Sequence, residues 1–209
     1  VTLLERRLEW KRLEPSGDEA DLRVVLLSSF TVDPLVPYLG TALAAAGFAA
    51  RIDVGPYGQI AQQCLDPSGQ AASSQPDFVV VWPRLEDLWA ARPWPLDEPP
   101  DDYVADLLLM VEAATHAVEW GADVVFVLPA VPELRPLGAG DAGNQHGVFA
   151  TATAAREAAR SRLAGVPGVL VADAEEIVRE LGSANALDWR RAAVARIPFK
   201  EPAFAVMGD

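Results

Sequence analysis

Short unbroken apolar runs alternate along this chain with longer stretches in which apolar positions recur every three or four residues. Five of the runs fit strands covered on both faces: residues 23–27, 50–54, 78–82, 124–128 and 168–173. Helical spacing between them predicts helices over 34–46, 59–65, 102–120 and 151–163. Another follows Asp173, an N-cap with Glu176 at the capping-box position, and runs to 181. Two further helices flank the series. One spans 3–13, where Leu3, Leu4, Leu8 and Leu13 stand among charges, and the other spans 186–195. Strand and helix alternate throughout. With right-handed crossovers, that order predicts an α/β protein: a doubly wound, flavodoxin-like three-layer sandwich on a five-stranded, mainly parallel sheet.

The pattern divides the chain into a leading amphipathic helix and linker (1–22), an α/β domain (23–196) and an extended tail (197–209). That tail, Ile197-Pro-Phe-Lys-Glu-Pro202, is expected to lead towards a further domain. Residues 92–102 are rich in Pro and acid and read as a loop. Residues 129–147 are dense in Gly, Pro, Asp and Asn, and a loop of that length is functional or disordered.

Composition narrows the partners more than the fold. Apolar residues make up 51% of the chain, enough for a full core. A net charge of −13 repels phosphate backbones and anionic lipid, so neither nucleic acid nor a membrane is an expected partner. Arg190, Arg191 and Arg196 form the best basic cluster, which reads as a solvated helix face or as a phosphate grip. No apolar run reaches the roughly 18–20 residues that cross a bilayer. The opening residues are charged where a signal peptide is apolar, so a cytoplasmic location is expected. Val1 in place of an initiator methionine suggests a piece cut from something longer. One cysteine and two histidines leave little material for a metal site, and no cofactor is expected.

Candidate chemistry collects at the strand ends, where ligands bind in open α/β sheets. The first strand runs into Ser28, Ser29 and Thr31, hydroxyls placed to act as nucleophile or oxyanion contact. After the third strand, Arg84 and Asp87 face one crevice; Arg84 can grip a carboxylate or phosphate, or the two can pair with each other. Asn144 and His146 lie in the long loop after the fourth strand, and His146 is the candidate general base. His116 reads as a helix-face residue and Cys64 as a half-buried helix cysteine with no basic neighbour to activate it. Phosphate-loop, dinucleotide-binding and Gly-x-Ser-x-Gly motifs are absent, which disfavours nucleotide enzymes.

Three segments carry a family resemblance: Leu27-Ser-Ser-Phe-Thr-Val-Asp-Pro-Leu35, Val54-Gly-Pro-Tyr-Gly-Gln59 and Val80-Val-Trp-Pro-Arg-Leu-Glu-Asp-Leu88. In order and spacing they resemble the amino-terminal domain of FkbH-like proteins of polyketide and related natural-product pathways. Ala195-Arg-Ile-Pro-Phe199 is similar to that domain's closing segment. The resemblance implies an SGNH-hydrolase-like fold, followed in full-length relatives by a HAD-type phosphatase domain. It also implies glyceryl-type acyl transfer to an acyl carrier protein. No Asp-x-Asp-x-Thr phosphatase motif occurs in this chain. The SGNH nucleophile block corresponds to Ser28-Ser29-Phe30, with Ser29 or Phe30 at the nucleophile's place depending on one gap. The Gly-x-Asn-Asp block corresponds to Pro83-Arg84-Leu-Glu-Asp87 without its asparagine, and Asp188-Trp-Arg-Arg191 ends in arginine where the family has the catalytic histidine. Two functions follow as expectations: a lapsed SGNH-like module that binds an acyl substrate or carrier protein, or an active serine acyltransferase using Ser29 and His146.

Overall fold

The computed structural model describes residues 2–16, 19–90 and 101–208. Five strands, β1 (Leu22–Ser28), β2 (Ala50–Val54), β3 (Phe78–Trp82), β4 (Asp123–Leu128) and β5 (Val169–Asp173), form one sheet in the order β2-β1-β3-β4-β5. Every pairing is parallel. Continuous apolar runs are what such strands require, because helices cover both faces. Of the loop expected over 92–102, residues 92–100 lie outside the described residues, and Asp101 and Asp102 belong instead to the next helix.

Alternate residues of the three central strands feed two cores, whereas Leu170 and Val171 of the edge strand β5 stay exposed, against the expectation of cover on both faces. On one face Val25, Leu27, Val79, Val81, Val124 and Phe126 pack against α3 (Ile60–Leu65), α6 (Asp101–His116) and α7 (Val148–Leu163). Between them stand the short α4 (Gln70–Ser73) and α5 (Leu85–Trp89). Cys64 is fully buried in this core, and burial pushes its thiol up to about 12, so it is a packing residue. On the other face Val24, Leu26, Trp82 and Val127 meet α2 (Val36–Ala45), α8 (Ala174–Leu181) and α11 (Glu201–Gly208). Outside α2 lies α1 (Leu3–Leu13), whose Trp10 ring covers Gly40 so closely that a Cβ there would sit 2.5 Å from it.

The carboxyl-terminal end departs from the expected extended tail. After α9 (Ser183–Ala186) and α10 (Trp189–Ala195), Phe199 bridges to Leu187 and the chain turns into α11. Pro202 is compatible with this because it falls in the first turn, where its missing N–H costs nothing. Phe199 and Phe204 are buried and in edge contact, 6.0 Å between centroids. The other predicted loop, 129–147, contains a 3-10 segment (Gly138–Gly143) rather than unstructured chain throughout.

Candidate functional site

The chain leaves β1 for β2 on one side and β3 on the other, so a crevice opens where the carboxyl ends of β1 and β3 lie side by side. The register that fixes it pairs Ser28 with Trp82. Ser28 is committed locally: its hydroxyl donates to the Phe30 carbonyl (2.5 Å) and accepts from the Phe30 N–H (3.0 Å). That turn drops Phe30 onto Trp82 and Phe199, with centroids 5.1 and 5.5 Å away.

Ser29 is left at the crevice, 8% exposed. Its hydroxyl accepts from the Arg84 backbone N–H (2.9 Å) and donates to the Asp87 carboxylate (3.0 Å). Pro83-Arg84 ends β3 and opens α5, which is why residues 55 and more positions away reach the same hydroxyl. The Arg84 guanidinium pairs with Glu86 (3.1 Å) and more loosely with Asp87 (3.6 Å). Both readings of Arg84 therefore meet here: it is paired with Asp87, and it borders the crevice. Burial raises the Asp87 pKa above the ordinary carboxylate range, opposed by Arg84, by the Ser29 hydrogen bond and by Arg196.

Arg196 belongs to this site although it is 109 residues from Asp87 in the chain. It caps α10 in the left-handed region (φ 56°), an uncommon conformation for a residue with a side chain. Thr31 holds it there: the Thr31 N–H donates to the Arg196 carbonyl (2.8 Å), and the Thr31 hydroxyl donates to the Ala195 carbonyl (3.0 Å). The Arg196 side chain is exposed and forms no ion pair among the described residues. Residue type alone grouped Arg196 with Arg190 and Arg191; the turn that Thr31 holds is what lets its charge act on Asp87. Beside the crevice, Ser28, Thr31, Asp33, Gly55 and Tyr57 line a hollow of about 280 Å³.

Ser28, Ser29, Thr31, Arg84 and Asp87 are thus brought together, whereas Asn144 and His146 occupy another element. The Asn144 side chain accepts from the His146 N–H (2.9 Å) in the turn before α7. Neither hydrogen bond of the Ser29 hydroxyl involves His146. The organiser of that loop is Asp141, whose buried carboxylate takes the N–H groups of Val148 (2.8 Å) and Phe149 (2.9 Å). Asp188 likewise caps its own helix, accepting from the Arg191 N–H (2.9 Å).

No family model matches the sequence, and no curated protein matches it. Among solved structures, the whole chain aligns with the N-terminal part of the protein BF1531 from Bacteroides fragilis, which contains a phosphatase domain complexed with Mg. The identity is 15% and the TM-score 0.77, and the alignment covers 54% of that chain. This chain therefore spans about half of that structure. A candidate SGNH hydrolase from Slackia heliotrinireducens aligns over 90% of this chain and 94% of its own, at 16% identity and a TM-score of 0.50. The fold is SGNH-like. Three backbone donors around Ser29 are occupied within the site. Ser29 N–H bonds the Trp82 carbonyl (3.3 Å), Phe30 N–H bonds Ser28 and Arg84 N–H bonds Ser29 itself. Acyl transfer needs donors aimed at a developing oxyanion, and these three are not free to be so aimed.

Proposed function

We propose that this SGNH-like domain is a binding module that supports glyceryl-type acyl transfer in cytoplasmic natural-product biosynthesis, as in FkbH-like proteins. It holds an acyl substrate bearing an anionic or hydroxylated group and receives an acyl carrier protein. The observation that carries this reading is the engagement of Ser29: its hydroxyl is held between the Arg84 N–H and the Asp87 carboxylate, and its own N–H is bonded to the Trp82 carbonyl. Arg196, its turn held by Thr31, and Arg84, both of which act on the charge of Asp87, supply the contact for a carboxylate or phosphate. Arg190, Arg191 and the 90% exposed Val194 lie on the same short helix and offer an acidic carrier protein a cationic surface with an apolar point. A HAD-type phosphatase domain beside the module would complete the glycerate chemistry.

One observation favours the second reading, an active serine acyltransferase. The Ser29 hydroxyl donates to a carboxylate, Asp87, that can take its proton. Incubation with a fluorophosphonate probe, read by intact mass with Ser29→Ala alongside, separates the two. The binding module predicts no adduct, together with carrier-protein binding that Arg190→Glu/Arg191→Glu weakens. A stoichiometric adduct lost in Ser29→Ala would overturn it in favour of an acyl-serine intermediate.

A further inference from the structure

Helix α1 has two dissimilar faces. Inward, Leu3 and Trp10 join the core beside α2, and Arg6 lies over the Tyr38 ring (5.9 Å) while paired with Glu9 (3.1 Å). Its other acid, Glu5, is turned back into a capping box with Thr2. Outward, Leu4, Leu8 and Lys11 share one ridge at helical spacing, with Arg7 and Arg12 flanking it. Leu4 and Leu8 are 67% and 53% exposed. The side chains of Arg7, Lys11 and Arg12 form no hydrogen bond or ion pair among the described residues. Both acids of the helix are thus engaged locally, leaving three cations around two leucines on a chain of net charge −13.

We propose that this outer face of α1 docks an acidic protein surface whose apolar centre covers Leu4 and Leu8. Its layout is that of an interface patch, an apolar middle ringed by charge, and the sign of the ring fixes the sign of the partner. An anionic bilayer fits less well. The broader apolar side of α1, with Leu3 and Trp10, already faces α2, leaving two leucines for insertion. A bilayer is also a plane that would confront the acidic surroundings of the patch, whereas a protein partner meets only the patch. The inference is independent of how Ser29 is used.

The test titrates a labelled helical peptide, with leucines at every third or fourth position and glutamates on either side, into the full chain. Saturable, salt-sensitive binding is expected. Leu4→Ser/Leu8→Ser and, separately, Lys11→Glu/Arg12→Glu should each weaken it about tenfold or more. Arg162→Glu, an exposed arginine on α7, should leave it unchanged. All of these positions on α1 are exposed, and circular dichroism confirms that the variants fold. Absence of saturable binding, or binding indifferent to both α1 variants, overturns the proposal. So does α1-dependent binding to phosphatidylserine vesicles without peptide binding, which assigns the face to lipid. α1-dependent self-association in size-exclusion chromatography without peptide binding overturns it too, in favour of a second copy.

Discussion

Two arginine–aspartate constellations stand at the same carboxyl edge of the sheet, and they differ in how completely each neutralises itself. At the end of β5, Asp173 takes Arg156 on both oxygens (2.8 and 2.9 Å), Arg160 (2.8 Å) and the Glu175 N–H (3.0 Å). Arg156 also donates to the Pro129 carbonyl, so the group ties the end of β4, α7 and α8 together. At the β1–β3 crevice, Asp87 has a loose contact with an arginine that sits closer to Glu86, and burial raises its pKa. Arg196 acts on the same carboxylate and forms no ion pair among the described residues. A carboxylate closed off by two arginines and an N–H is architecture; the proposed function assigns the ligand to the incompletely neutralised one, beside a left-handed arginine.

If that contrast is right, the largest stability loss belongs to the closed group. Asp173→Ala leaves Arg156, whose side chain is 11% exposed, without its carboxylate, and should cost about 3 kcal/mol. For a domain of this size that lowers Tm by roughly 6–12 °C in a thermal melt. A loss below about 1 kcal/mol would break the comparison. Next comes Ser29→Ala, which strips the buried Arg84 N–H of its acceptor and should cost about 1–2 kcal/mol in urea unfolding. Arg196→Gly should go the other way. Glycine adopts φ 56° without a Cβ penalty, so a gain of about 0.5–1 kcal/mol is expected, alongside loss of binding to an anionic acyl ligand by calorimetry. Destabilisation there would show that the arginine side chain itself holds the turn.

How much of this was legible in the sequence depended on the range of the interaction. The central strands were, because burial on both faces writes Val-Val-Leu-Leu into contiguous positions, and β1 differs from its expected 23–27 only by one residue at each end; β5 was found by its apolar run although its outer residues stay exposed. Ser29, Arg84 and Asp87 were legible as strand-end candidates, but the hydrogen bond between Ser29 and Asp87 spans 58 positions and depends on the β1–β3 register. Arg196 reaches the crevice through a turn that Thr31 clasps from 164 positions away along the chain, a contact with no local signal. Helix α11 was hidden by Pro198 before it and Pro202 in its first turn, which suggest extended chain until Phe199, Ala203 and Phe204 are seen buried together. Asp141 was missed for the opposite reason: a cap within a glycine-rich loop looks like loop composition, although its two partners are only seven and eight residues ahead.

The smallest predicted effect is the most discriminating, because it concerns the charge on Asp87 and leaves its shape almost untouched. Asparagine can still accept the Ser29 hydroxyl, so Asp87→Asn should change stability at low pH by only a few tenths of a kcal/mol. The folded-state pKa of Asp87 is raised, so the folded protein favours the protonated carboxyl more than the unfolded chain does. Its contribution is therefore fully present below the ordinary carboxylate value of 3.8 and is lost as pH rises through the raised value. The asparagine variant has no proton to lose at that position. Urea unfolding of both proteins from about pH 3.5 to pH 7 should show wild type losing ground to Asp87→Asn as pH rises, at a rate bounded by about 1.4 kcal/mol per pH unit. A flat difference, or one that grows in favour of wild type, would mean that Arg84, the Ser29 hydrogen bond and Arg196 together match or outweigh burial. The crevice would then be as fully neutralised as the cluster at Asp173, and the distinction between the two would fall.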